Sequence, residues 1–368
     1  MPPRQRRTSP LPGRPRGPAP RKKRRAPDEL IVPQEAVTYV VDPAQAGERL
    51  DVYLAARLRW RSRTKVQELI EVRDVTVDGV RRDRAYRVKA GEQIAIPLPP
   101  PPEDAFRIGE IPLEILHEDD YLIVLNKPPG IVVHPVGKHR YNTLINALHL
   151  RYRNLEDASR DIVPKLAHRI DRDTSGVLVA VKTGRHERGA PVVFERLEVR
   201  KEYLAIAEGV LAQEEGEINL PLGPAPVEEV PGLSAAAAKR RTSRQAVTDD
   251  GRPALTRFTV RERFAGFTLL HLRIVTGRQH QIRVHLQASG HPVLCDAHYG
   301  VRRELRLSEA RRLRPGEEDT VLIARQALHS WRLAFPHPAT GQDVTFEAPL
   351  PGDMARALDA LREGALEC

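Results

Sequence analysis

The stretch "HRIDRDTSGVLVAV", residues 168–181, joins a charged segment directly to an apolar one. Its second half is an unbroken apolar run, as expected of a buried strand. Its first half puts His168, Arg169, Asp171, Arg172 and Asp173 within six positions and closes on Thr174, Ser175 and Gly176, which is turn chemistry. An aspartate beside an arginine has its pKa lowered by about 1–3 units and stays ionised, so it can serve as a nucleophile or base. The same residues also make a capped turn before a strand, and spacing alone does not choose between Asp171 and Asp173.

Outward from this point, strands and helices alternate irregularly. "YLIVLNKPPGIVVHP" (121–135) reads as two apolar strands around a Lys-Pro-Pro-Gly turn, and "TLINALHL" (143–150) as a helix. "RKEYLAIAEGV" (200–210) reads as a strand, and "FTLLHLRIVTGRQHQIRVHLQASGHPV" (267–293) runs from strand into helix. Short strands with intervening helices and long loops suggest an α+β domain with a mixed, largely antiparallel sheet over residues 110–352, followed by a C-terminal segment, 353–368. Residues 222–256, rich in Pro, Ala and charge, read as an irregular surface insertion.

The chain has 368 residues, enough for two domains. Its net charge of +10 is concentrated at one end: residues 1–27 hold ten Arg or Lys, eight prolines and no acid, which leaves 49 basic against 49 acidic residues elsewhere. Such a segment cannot offset its ordering entropy by burial, so residues 1–30 are expected to be a disordered tail that binds polyanions. No apolar h-region follows the basic start and no run of 18 apolar residues occurs, so a soluble, cytoplasmic protein is expected. Cys295 and Cys368 form no CxxC, and neither a zinc site nor a disulfide framework is indicated. No GxxxxGK[ST], HExxH or GxSxG is present, and the histidines of "GRQHQIRVH" are five apart. The site expected is free of metal and cofactor and is built from carboxylate, arginine and tyrosine.

Between tail and domain, Leu50, Tyr53, Leu54 and Leu58 fall on one face of a short helix, and a second helix capped by Ser62 turns Val66, Leu69 and Ile70 inward. "VTVDGV" predicts a hairpin turning at Asp78-Gly79, and "EQIAI" a further strand. From Arg49 to Lys89 there are twelve basic and six acidic residues. Together "RLDVYLAARL", "SRTKVQELIEVRDVTVDGV" and "VKAGEQI" resemble the S4 RNA-binding domain over residues 47–96, a small α/β module with a basic helical face. The resemblance implies RNA contacts from residues such as Arg63 and Lys65. Arg73-Asp74 stand where S4 domains often have a glycine. Four consecutive prolines then mark a stiff linker, residues 97–109.

"NKPPGIVVHP", "HRIDRDTSGVLVAVKT", "RKEYLAIAEG", "VTGRQHQIRVHLQASGHPVLCDAHYG" and "LHSWRLAFPHP" resemble the RluA family of RNA pseudouridine synthases, so that with the S4-like module the likeness spans residues 47–350. The resemblance implies a fold of the pseudouridine synthase type that turns uridine into pseudouridine in a structured RNA, large-subunit ribosomal RNA first and transfer RNA second. It implies that Asp171 is the catalytic aspartate, Arg283 its arginine partner and Tyr203 the active-site tyrosine, which stacks on uracil and helps remove the C5 proton. Arg169 is placed in the gap left by the flipped nucleotide, and His168 beside it in a binding or structural role. Asp171 either attacks C1′ or removes the C2′ proton, and both routes stay open. Two departures stand out: Cys295 occupies a position where glycine is common, and "TGRHERGAPVVFERLE" (183–198) is atypical. A monomer is expected. The rival readings are a non-catalytic RNA-binding factor and a glycosidase that stops after bond cleavage.

Overall fold

The computed structural model describes residues 36–58, 63–72, 75–97, 108–136, 139, 142–153, 162–183, 199–226 and 244–366. The basic tail, Ser62, most of the proline linker and nearly all of 183–198 lie outside them. The chain divides into two compact units, residues 1–100 and 101–368.

In the first unit, strands β1 (Ala36–Val40), β2 (Thr76–Val77), β3 (Val80–Arg81) and β4 (Gln93–Pro97) form a sheet in the order β1-β4-β2-β3. Helices α1 (Leu50–Arg57) and α2 (Arg63–Val72) bury the expected stripe of Leu50, Tyr53, Leu54, Val66, Leu69 and Ile70 with Val77, Ile94 and Ile96. The hairpin turns at Asp78 and Gly79, with φ of 48° and 76°, the paired positive values of a two-residue hairpin turn. Strand β1 precedes residue 47, where the S4-like module was expected to begin. It pairs with β4, Ala36 opposite Pro97, and a partner so distant in sequence leaves no local pattern.

The second unit is built on a ten-stranded sheet. Its strands are β5 (Glu114–Glu118), β6 (Leu122–Lys127), β7 (Val163–Leu166), β8 (Ser175–Thr183), β9 (Arg200–Glu208), β10 (Glu215–Asn219), β13 (Leu255–Phe264), β14 (Phe267–Ile274), β17 (Leu328–Pro336) and β18 (Asp343–Glu347). The main order is β10-β13-β14-β9-β17-β8-β6-β5, with β7 beside β8 and β18 beside β17. Among the described residues, β17–β8 is the one parallel pairing. Two small ladders, β11 (Leu222–Pro224) with β12 (Gln245–Val247) and β15 (Leu305–Arg306) with β16 (Val321–Ile323), lie outside the sheet. The first of these falls within 222–256, so that region is not wholly irregular where it is described.

The apolar run after HRIDRDTSG is explained by burial on both faces. Leu178 and Ala180 enter the main core with Ile123 and Leu125, whereas Val177, Val179 and Val181 join Leu122, Val124 and Phe335 on the other side. Helices α3 (Leu144–Tyr152), α4 (Gln281–Ala288) and α6 (Gly352–Leu366) pack into the main core, and α5 (Leu307–Ala310) is a single turn. Helix α6 is the expected C-terminal segment. It contributes Met354, Ala357, Leu358 and Leu361 to the core and is therefore part of the domain.

The second strand expected in 121–135 does not form. After β6 the chain turns at Gly130 (φ 84°) and continues irregularly, burying Ile131 and Val133 and using the Val132 and Val133 carbonyls to accept the first backbone N–H groups of α3.

Candidate active site

Gly176 fixes where the charged segment lies. Its φ is 109°, and a Cβ there would collide with the Ser330 carbonyl across the parallel β8–β17 contact. Only glycine meets both demands. The loop before it is tied down residue by residue. Lys127, fully buried at the end of β6, donates to the Arg172 carbonyl at 2.8 Å and to those of Pro128 and Ile131 at 2.6 and 3.2 Å. Burial draws its pKa down to about 7, while three carbonyl acceptors match the three protons of an ammonium. Arg325 donates to the Asp173 carbonyl at 3.0 Å and is itself held by both carboxylate oxygens of Asp353, at 2.6 and 2.8 Å. The Gln326 amide donates to the Thr174 hydroxyl at 2.8 Å.

This anchoring separates the two aspartates. Asp171 faces a cavity of about 300 Å³, whereas the Asp173 side chain is 43% exposed and lies 3.8 Å from Arg172. Asp171 accepts from Arg283 Nη1 at 2.8 Å. The Nε and Nη2 of the same guanidinium are engaged by Asp296 at 2.6 and 2.8 Å. Asp296 is fully buried and also accepts the backbone N–H groups of His298 and Tyr299. Burial alone would raise the Asp296 pKa, but the Arg283 hydrogen bonds and charge and the two N–H donors hold it below the ordinary carboxylate value. Burial likewise opposes the charge on Arg283, and its two carboxylate neighbours outweigh it and raise the pKa. The guanidinium therefore stays charged and points one donor at Asp171.

Arg283 reaches this position because the segment between β14 and α4 is fixed by Gln281. Its side-chain oxygen accepts from Thr276 Oγ1 and the Arg278 N–H, and its amide donates to the Leu255 carbonyl and Thr256 Oγ1. His280, at φ 56°, stands with Nε2 3.9 Å from Asp171 and Nδ1 2.8 Å from the Tyr299 hydroxyl.

Tyr203, on β9, also lines the cavity; it is buried and hydrogen-bonded to Ser330. Burial pushes its phenol well above the ordinary range, and nearby Asp171 adds to the shift. The group is thus a neutral phenol, suited to stacking and hydrogen bonding, and not a standing phenolate base. His168 accepts the Val179 N–H through Nε2 at 3.1 Å, which ties the charged segment to β8. Exposed Arg169 lines the same cavity. The cavity so gathers Asp171, Tyr203, Arg283, His168 and Arg169. Arg63 and Lys65 belong to α2 of the first unit.

Similarity to known proteins bears on this geometry. The model of the RNA pseudouridylate synthase family matches residues 121–288, and that of the S4 domain residues 48–94. The ribosomal large subunit pseudouridine synthase D of Nitrosomonas europaea is 37% identical over 331 residues, 89% of each chain. The chain belongs to the RNA pseudouridylate synthase family. An uncharacterized RNA pseudouridine synthase of Bacillus subtilis is 34% identical over 87% of this chain and 96% of its own length. Among solved structures, human RNA pseudouridylate synthase domain containing 4 shares the fold, with a TM-score of 0.50 and 24% identity over 68% of this chain and 93% of its own.

As a pseudouridylate synthase with an S4 domain, the chain is an RNA-modifying isomerase. The departure at Cys295, which stands where glycine is common in the family resembled, has a structural cost: Cys295 adopts φ 58°, a left-handed conformation that costs a non-glycine residue about 1–2 kcal/mol. Its buried Sγ donates to the Ile323 carbonyl at 3.6 Å. Asp296, Lys127 and His280 were not singled out from the sequence, although all three lie inside the quoted motifs. No helix among the described residues is long and apolar enough to cross a membrane.

Three histidines are held neutral around this loop. Burial lowers the pKa of His168 to about 3 and those of His280 and His329 to about 4. The unfolded chain protonates each near 6.5 while the folded one does not, so stability is full above about pH 6.5 and falls as pH drops toward 4. Each proton contributes a slope of about 1.4 kcal/mol per pH unit. Urea denaturation followed by circular dichroism is expected to show a clearly lower midpoint at pH 5 than at pH 7. An unchanged midpoint would mean that these rings titrate normally.

Proposed function

We propose that this enzyme isomerises uridine in large-subunit ribosomal RNA, in the cytoplasm, with Asp171 as the catalytic carboxylate. The observation that carries the assignment of roles is the Asp296–Arg283–Asp171 chain, in which a buried carboxylate orients a guanidinium that in turn fixes the one aspartate facing the cavity. The names of the curated relatives support the ribosomal substrate.

The reaction moves the C1′ bond of the ribose from N1 to C5 of uracil; C5 loses a proton and N1 gains one, so that product and substrate are isomers. A target inside a helix must first be flipped out, at about a few kcal/mol, and Arg169 at the cavity rim fills the gap. Asp171 then acts at C1′ or at the C2′ proton, Arg283 balances its charge, and Tyr203 offers a flat face to the uracil. His168 holds the loop to β8. Arg63 and Lys65 of the S4 domain contribute RNA contacts that set position without reading sequence.

The test uses RNA carrying tritium at C5 of uridine, presented as large-subunit transcript, partly assembled large subunits and transfer RNA. Tritium release with the base retained, fastest on a large-subunit substrate, is expected. Free uracil would identify a glycosidase instead, and binding without release would leave an RNA-binding factor. Faster turnover of transfer RNA would overturn the substrate class.

A further inference from the structure

Lys201 lies on β9 two residues before Tyr203 and so on the same face of the sheet. It is half-buried and lines both the catalytic cavity and a neighbouring groove of about 730 Å³, which also holds Arg200, Arg273, Asp343 and Thr345. Its ammonium stands against Gly277, where an added Cβ would lie 3.8 Å from Nζ. Among the described residues no carboxylate pairs with it. Asp171 is engaged by Arg283, and Glu202 points to the other face of β9, where it meets His271 at 3.1 Å. The other charged or titratable groups lining the cavity beside it are His168, Arg169, Arg278, His280 and Arg283.

Taking an ammonium out of water without a counter-charge costs several kcal/mol. Burial already shifts Lys201 toward its neutral form. A site that keeps such a group at the junction of two cavities is completed by a ligand that brings an anion. In an RNA the bases are neutral, and the anions are the backbone phosphates.

We propose that Lys201 receives a backbone phosphate next to the flipped uridine, where the strand passes from the catalytic cavity into the adjoining groove, and so sets the ribose over Asp171. This rests on uridine in RNA being the substrate. Lys201 is then a substrate-positioning residue that recognises a nucleotide within a chain, and a free uridine nucleoside lacks the group it holds.

The experiment uses full-length enzyme and a synthetic RNA containing a uridine that the wild type converts. The 5′ or the 3′ phosphate of that uridine is replaced by a neutral methylphosphonate, and single-turnover tritium release is followed. Lys201→Gln is expected to slow the unmodified substrate by about 10- to 100-fold, with Lys201→Arg retaining most of the rate. One of the two methylphosphonates slows the wild type by a similar factor and adds nothing to the Lys201→Gln defect. A purely structural role for Lys201 predicts that the two defects multiply, and that result overturns the proposal. Wild-type rates unaffected by either methylphosphonate overturn it without recourse to a variant. Free uracil, which keeps its C5 tritium, would reject the isomerase reading, and the same variants and methylphosphonates would then be compared by the rate of uracil release, with multiplying defects again overturning the phosphate contact.

Discussion

Asp171→Asn is expected to lower single-turnover pseudouridine formation by about 10⁴-fold or more while leaving RNA affinity nearly unchanged. The substitution keeps shape and removes charge. The fold has little reason to respond, because Arg283 retains both bonds to Asp296 and the loop is held by its backbone carbonyls. Affinity rests mainly on phosphate contacts, to which a carboxylate on the cavity wall contributes nothing favourable. The comparison that gives the result meaning is Asp173→Asn, two residues away. Its side chain is half-buried and does not line the cavity, and what Arg325 holds is its carbonyl, which the substitution preserves. That variant is expected to stay within about threefold of wild type, as surface changes away from a site generally do. Tritium release and filter binding on the three proteins decide the matter. If Asp171→Asn keeps more than about one part in a hundred of the rate, the carboxylate is a positioning group and the assignment of chemistry to it fails.

Why the sequence left these two aspartates level is plain from the structure. Which one faces the cavity depends on Lys127, Arg325 and Gln326, which lie 45 to 152 residues away from their partners in the loop. The spacing of charges in HRIDRDTSG carries none of that information; the likeness to a known family did. Local periodicity sufficed where partners were close or where one face was buried, as with Leu50, Tyr53 and Leu54 in α1, and the Asp78-Gly79 turn was legible from two residues. It failed for 131–135, where apolar residues enter the core from irregular backbone, and for β1, whose partner is remote. Asp296 was passed over because an aspartate between Cys295 and Ala297 looks like one more loop residue. Its role appears only when Arg283 is placed beside it.

Asp296→Asn is accordingly expected to be the most damaging substitution outside the cavity itself. Breaking a buried pair by removing one partner costs about 3–5 kcal/mol where the remaining charge is left unpaired, and Arg283, which keeps Asp171, puts the loss toward the lower end of that range. Here Arg283 is 4% exposed and Asp296 is fully buried, so water cannot replace the lost charge without opening the core. An asparagine can still accept through one oxygen, but its amide turns N–H groups toward either the guanidinium or the backbone donors of His298 and Tyr299, which need acceptors. Activity is expected to fall further than stability explains. With its fork no longer held, Arg283 can rotate away from Asp171, and a misplacement of about 1 Å costs on the order of 10²-fold. The two effects are separable by measuring urea denaturation first and single-turnover rates at a temperature where the variant is fully folded. A folded Asp296→Asn enzyme with a rate within about threefold of wild type would show that Arg283 keeps its aim unaided. The acid limb of stability offers an independent readout. The folded-state pKa of Asp296 lies below its unfolded value, so its contribution is present above about pH 3.8 and is lost as pH falls through the lower, folded value. That portion of the acid sensitivity should disappear with the carboxylate, while the histidine-driven loss between about pH 6.5 and 4 remains, because His168 and His329 make their hydrogen bonds to other partners.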